Sequence, residues 1–186
     1  MRRLARELGV GTMTIYGHFR SKDELLDAIV DSGSQLIVTS IAAGLADDSW
    51  QDQLRRLMIA IRASLIVNPA IVELRYKRPI LSPVALDLTE IGIRILRDAG
   101  FGKREAATLY RMLFIYTFGY SAFGPGPGSA IDRERALGAL RGLSPDRYPA
   151  LVGLTDEAAE AMGDEGLFEL GLDAILDGLE ERLSPG

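Results

Sequence analysis

The chain has 186 residues, 47% hydrophobic and 25% charged, enough apolar material for a sizeable core and too much for a disordered chain. Cysteine is absent, which excludes disulfides, thiolate metal sites and a cysteine nucleophile. The net charge of −5 conceals an asymmetry: residues 1–22 carry five Lys/Arg against the single acid Glu7, so a polyanion would be drawn to this end and repelled by the acidic remainder.

Taken in chain order, almost every segment reads as helix, with apolar residues at three- and four-residue spacing and little β-branched alternation. Leu4, Ala5 and Leu8 share one face of a first short helix, which Gly9-Val10-Gly11 ends. Thr12 is placed to cap a second short helix, Thr12 to His18, with Ile15 and Phe19 facing inward. Leu25, Leu26, Ile29 and Val30 begin a longer helix from about Lys22 to Ala43. Asp47, Asp48 and Ser49 offer caps for a helix carrying Leu54, Leu57, Met58, Ile61 and Leu65 on one face, stopped by Asn68-Pro69. A short helix is expected over Ala70 to Tyr76. Ser82-Pro83 opens another that runs to Ala99, with Gly100 as its C-terminal glycine.

A long helix follows from about Lys103 to Phe123, ended by Gly-Pro-Gly-Pro-Gly at 124–128. Ile131 to Arg141, then Pro149 to Ala161, are expected as two further helices. The last, about Asp164 to Leu183, carries Leu167, Leu170, Ala174, Leu176 and Leu179. Its Gly166, Gly171 and Gly178 each cost about 1 kcal/mol of helicity relative to alanine, but let another helix approach closely. No apolar signal core follows the N-terminal arginines, and the most apolar stretch, Met112 to Phe123, is too short and polar to span a bilayer. The expectation is a cytoplasmic protein without membrane contact.

The chemistry concentrates at the start. Two short helices joined by a glycine-bearing turn have the form of a helix-turn-helix, whose second helix enters the major groove of DNA. Thr12, Met13 and Thr14 suit base edges and thymine methyls. Tyr16, His18 and Lys22 suit phosphates, through a hydroxyl, an imidazole N–H and an ammonium. Singly, each has an ordinary structural explanation: a half-buried tyrosine, a surface histidine, a common turn. The ordered string is the specific signal.

That string, "RRLARELGVGTMTIYGHFRSKDELLDAIVD", resembles the DNA-binding segment of the TetR family of bacterial transcriptional regulators. The matching elements are Ala5, Leu8-Gly9-Val10, Tyr16, His18-Phe19 and Lys22-Asp23-Glu24-Leu25-Leu26. More weakly, "FGKREAATLYRMLFIYTFGY" and "FELGLDAILDGLEERL" resemble the penultimate long helix and the closing helix of the family's regulatory domain. The resemblance implies an all-α fold: a small helix-turn-helix DNA-binding head with its connecting helix over 1–43, then a larger helical ligand-binding and dimerisation domain over 44–186. Arg2 would contact the DNA backbone or a base. Thr12, Met13 and Thr14 would face the groove, and Tyr16, His18 and Lys22 would grip phosphates. Helices at about 103–123 and 164–183 would pack with their twins into a homodimeric four-helix bundle on a palindromic operator.

The resemblance also implies an effector cavity, with Trp50, Met58, Ile61, Leu65, Leu86, Ile93, Tyr110, Phe114 and Phe118 as candidate walls. The family's tetracycline repressors hold their drug as a magnesium chelate with a histidine ligand. Here the only histidine, His18, lies in the head, so that mode is not expected. A small, largely apolar or aromatic effector is expected instead, with no metal and no cofactor. A repressor released by that effector is the expected function. In the family another helix precedes the quoted segment, and the expectation is a loosened head with weakened DNA binding. The alternative is a dimeric helical small-molecule-binding protein that does not bind DNA in this form. Catalysis finds little support: Glu157, Glu160, Asp164 and Glu165 cluster at a helix start, where acids favour the helix dipole, without a phosphate loop or a nucleophile–base pair.

Overall fold

The computed structural model describes residues 1–42, 48–77, 82–123, 129–164 and 166–183, and every regular element among them is an α-helix. The head and its connector are α1 (Arg2–Glu7), α2 (Thr12–His18) and α3 (Lys22–Ala42). The body follows as α4 (Trp50–Val67), α5 (Pro69–Lys77), α6 (Pro83–Asp98) and α7 (Lys103–Phe123). Then come α8 (Ser129–Arg141), α9 (Pro149–Gly153), α10 (Thr155–Gly163) and α11 (Leu167–Leu183).

Local chemistry accounts for most of these boundaries. The Ser49 hydroxyl accepts the Asp52 N–H at 3.1 Å and starts α4. Ser82 accepts from the Ala85 N–H at 3.4 Å, with Pro83 in the first helical position of α6, where its missing N–H costs nothing. At the other end of α6, Gly100 takes φ +112°. The Gly100 N–H then reaches the Arg97 carbonyl and the Phe101 N–H the Leu96 carbonyl, both at 3.1 Å. This glycine-closed pair of hydrogen bonds satisfies carbonyls that the helix leaves orphaned. It also delivers Phe101 into the core, where it is fully buried. The expected cap residue Asp47 and the Gly-Pro stretch at 124–128 lie outside the described residues.

Helix α4 is the central post. Its buried face, Leu54, Leu57, Met58, Ile61 and Leu65, meets α3, α5, α6, α7 and α11. The shared core draws Leu88, Ile91, Ile95 and Leu96 from α6, Leu109 and Leu113 from α7, and Phe168, Leu172, Leu176 and Leu179 from α11. Each such side chain contributes about 1.5–3 kcal/mol of burial. Helices α8, α9 and α10 pack on one another.

The segment expected as one helix over 149–161 is two, α9 and α10, broken at Leu154 (φ −127°). At the break the Thr155 hydroxyl donates back to the Leu151 and Val152 carbonyls, each at 3.2 Å, supplying bonds that a continuous helix would have made. The last helix starts at Leu167 rather than Asp164, because the Asp164 carboxylate accepts the Gly166 N–H at 2.8 Å and holds a turn there. Its inward face is Phe168, Leu172, Leu176 and Leu179. Leu170, expected on the apolar face, is 66% exposed, and Ala174 is exposed as well.

Candidate nucleic-acid interface and ligand cavity

The head is built around its turn. Gly9 adopts φ +66°, open to glycine at little cost. Its N–H bonds the Arg6 carbonyl at 3.2 Å, and the Val10 N–H bonds the Ala5 carbonyl at 3.0 Å. The same pair of hydrogen bonds closes α6, so the two helix stops share one mechanism. Helix α2 starts from Gly11 (φ −70°, ψ 144°) without a side-chain cap. Thr12 is therefore its first residue and not its cap, which corrects the expected role of that hydroxyl. Ala5 and Ile15 are buried and Phe19 is partly buried, so one face of α2 holds to α1. Leu8, expected on the inward face, is 62% exposed instead.

With Ile15 inward, helical geometry turns the rest of α2 out. Met13 is 80% exposed and Tyr16 45%, while Thr14 and His18 are exposed and Thr12 half-buried. Lys22 stands exposed in the first turn of α3, and Arg2 is exposed at the start of α1. The angle between α2 and α3 is held by a pair of bonds that the sequence reading missed. The Ser21 hydroxyl accepts the Glu24 N–H at 3.0 Å, while the Glu24 carboxylate accepts the Arg20 N–H at 2.5 Å. Ser-x-x-Glu ahead of the leucine run was the available signal. The result is a short convex helix edge carrying hydroxyls, an imidazole and a thioether, flanked by the exposed cations Arg2, Arg3, Arg6, Arg20 and Lys22. Such an edge combines exposed hydrogen-bonding groups with positive charge, the features that attract base edges and phosphates.

Inside the body, α6 and α7 stand apart enough to leave a cavity of about 330 Å³ closed by α3, α4 and α5. Ile61, Leu65, Leu86, Ile93, Tyr110, Phe114 and Phe118 all line it. Trp50 and Met58 lie elsewhere: Trp50 packs edge-on against Phe101 with centroids 5.5 Å apart, and Met58 is fully buried in the core. The wall also contains Val30, Ile71, Ala85, Leu88, Thr89, Ala107 and Arg111, which the sequence reading did not single out.

The aromatic wall follows from residues four apart on α7. Tyr110 and Phe114 have ring centroids 6.4 Å apart, and Phe114 stacks on Phe118 at 5.4 Å. Gly92 makes room for the first of these rings, since a Cβ on α6 there would collide with Cε2 and Cδ2 of Tyr110. The Tyr110 hydroxyl donates to the Thr89 hydroxyl oxygen at 3.5 Å, and Thr89 donates to the Ala85 carbonyl at 2.9 Å. Burial raises the Tyr110 pKa above its ordinary value, opposed by the Thr89 bond, so the phenol stays protonated at neutral pH.

A second concavity, about 450 Å³, lies between the start of α3 and the α4–α5 corner, reaching Lys22, Leu26, Ile29, Val67 and Leu74. Val30 and Ile71 line both spaces, so they form a shared wall. On the far side of the body, α7 and α11 are tied by Tyr116, whose hydroxyl donates to the Phe168 carbonyl at 2.9 Å over the bare Cα of Gly171. The outward faces of these two helices expose Met112 and Ile115 on α7, and Leu170, Ala174 and Gly178 on α11. Among the described residues no helix is long and apolar enough to cross a membrane.

Comparison with known proteins agrees with this architecture. The family pattern described as "Bacterial regulatory proteins, tetR family" matches residues 1–29, and that described as "Tetracyclin repressor-like, C-terminal domain" matches residues 44–183. The chain is similar to the HTH-type transcriptional repressor DrrR1 of Streptomyces coeruleorubidus, 30% identical over 190 residues, covering 97% of this chain and 69% of that protein. It is likewise similar to the HTH-type transcriptional repressor Rv1353c of Mycobacterium tuberculosis, 31% identical over 189 residues, covering 94% of this chain and 69% of that protein. Among solved structures, the Streptomyces coelicolor TetR family protein ActR in complex with (S)-DNPA superposes with a TM-score of 0.77 at 25% identity, covering 97% of this chain and 86% of that one. Both sequence relatives are named transcriptional repressors, a non-enzymatic role. A helix-turn-helix head on an all-helical body, matched over both parts, identifies the chain as a member of the TetR family of bacterial transcriptional regulators.

Proposed function

We propose that this regulator is a cytoplasmic repressor, released from a palindromic operator when a small, largely apolar effector fills the cavity between α6 and α7. The observation that carries the reading is the double duty of α3. It presents Lys22 at the edge of the head and Val30 in the cavity wall. They lie eight positions apart, about 12 Å along a helix. A ligand that pushes Val30 therefore acts on the rod that aims the head. Coupling of about 1–3 kcal/mol is the usual scale for such linkage.

The head and connector would occupy residues 1–43 and the regulatory domain 44–186, a division that the two separate family matches support. Arg2, Thr12, Met13, Thr14, Tyr16, His18 and Lys22 would form the DNA contact. Two copies would join through the outward faces of α7 and α11, where Ile115 (54% exposed) and Leu170 leave apolar surface and Ala174 and Gly178 permit close approach. A twofold dimer would then set two heads on two half-sites about one helical turn, or a multiple of it, apart.

Selection of bound duplexes from a random pool tests this. A recovered palindrome supports the reading. Recovery of no preferred sequence by a folded dimer contradicts it.

A further inference from the structure

The charge of the effector is written in the cavity. Of its described lining residues, all but one are apolar or neutral, and the exception is Arg111. Arg111, Leu86 and Ala107 line the cavity and are exposed, so this part of the wall opens to solvent. Among the described residues no carboxylate pairs with Arg111. Its guanidinium carbon lies 6.0 Å from the centroid of the Phe114 ring. Some arginines of the body have carboxylate partners, Arg55 with Asp52 and Asp173, Arg141 with Asp156, Arg182 with Glu105; Arg62, Arg94 and Arg104 share with Arg111 the lack of one among the described residues, but of these four only Arg111 lines the cavity.

The shape of the wall selects the rest of the molecule. Phe114 and Phe118 are stacked, with an interplanar angle of 28°, and make this part of the wall aromatic. Deeper in, the Tyr110 hydroxyl holds Thr89 by a bond at the 3.5 Å limit, weak enough to be exchanged for a better acceptor. Among the described lining residues a cation would meet no acid and one arginine. A neutral hydrocarbon would leave the guanidinium and the phenol unused.

We propose that the effector is a flat aromatic molecule carrying one anionic group, its ring against Phe114 and Phe118, its anion on Arg111 and an acceptor oxygen toward Tyr110. This rests on the cavity being the effector site, and it adds the sign of the charge and where that charge binds. Arginine suits the role because its planar fork pairs with a carboxylate or sulfonate while its face still packs on a ring.

Two fluorescent probes that differ by a single sulfonate separate the parts of the proposal: anilinonaphthalene sulfonate and the uncharged N-phenylnaphthylamine. Each is titrated into the full chain, into Arg111→Met and into Ala85→Trp, which fills the cavity. The expected result is roughly tenfold tighter binding of the sulfonate by the unaltered protein, a preference that salt weakens. In Arg111→Met the preference should vanish while the neutral probe keeps its affinity. In Ala85→Trp both probes should be lost. Equal binding of both probes by the unaltered protein, with both blocked by Ala85→Trp, would overturn the anionic effector and leave the cavity as the site. Undiminished binding of both by Ala85→Trp would overturn the cavity itself. Unchanged sulfonate affinity in Arg111→Met would overturn the assignment to Arg111.

Discussion

Gly92→Ala is the sharpest test of how α6 and α7 build the cavity wall. A methyl group at Gly92 would sit well inside contact distance of Cε2 and Cδ2 of Tyr110 and 3.2 Å from Cδ2 of Leu57. Leu57 is fully buried and Tyr110 borders the cavity, so a shift of the ring away from the new methyl draws on cavity space. Overpacking of this kind costs about 1–3 kcal/mol. Removing a helical glycine returns about 1 kcal/mol. We predict a net loss of about 1 kcal/mol, together with weaker binding of aromatic probes as the ring intrudes on their space. In a Tyr110→Ala background the collision is gone, and the same substitution should stabilise by up to about 1 kcal/mol. The sign reversal corresponds to a coupling of about 2 kcal/mol. Urea midpoints at one fixed protein concentration, with unchanged m, measure all four proteins of the cycle. A Gly92→Ala protein that is more stable than the parent in both backgrounds would refute the packing argument.

Three further predictions follow from other parts of the molecule. Lys22→Ala should weaken duplex binding evenly across sequences and reduce the salt slope by about 1, read from affinity titrations at several salt concentrations. Ile115→Glu together with Leu170→Glu should convert dimers to monomers in sedimentation velocity, since both side chains stand on the outward α7–α11 face; an unchanged dimer would place the interface elsewhere. Burial lifts the Tyr110 pKa above the ordinary 10.0. A raised folded-state pKa leaves stability intact below the unfolded value and loses it as pH rises past that value, because the unfolded tyrosine ionises first. Urea midpoints should therefore fall above about pH 10, and fall less steeply in Tyr110→Phe.

Helix boundaries were legible where side chains act on their own backbone. Ser49, Ser82-Pro83 and Gly100 set α4 and α6 as their residue types indicate. The head was legible for a different reason: Tyr16, His18 and Lys22 occur in an order that resembles a known reading head. What the sequence hid was which neighbour an apolar face meets. Leu170 and Ala174 follow helical spacing yet face outward, because Phe168, Leu172 and Leu176 claim the core side of α11. Trp50 and Met58 share the periodicity of Ile61 and Leu65, but only the latter two border empty space. Arg111 was overlooked because a charge at helical spacing reads as solvated, and its importance depends on α6 standing opposite. The Leu154 break was hidden because it depends on the single hydroxyl of Thr155 bonding backward.

The central claim is that the outward edge of α2 reads a duplex. The most direct measurement is fluorescence anisotropy of a selected operator and of a scrambled duplex, with the parent and with Thr12→Ala, Met13→Ala and Thr14→Ala combined. The expected result is an unchanged melting temperature, loss of the preference for the operator, and retention of weak, salt-sensitive binding to both duplexes. A full operator preference in the triple variant, or a folded parent that binds neither duplex, would contradict it.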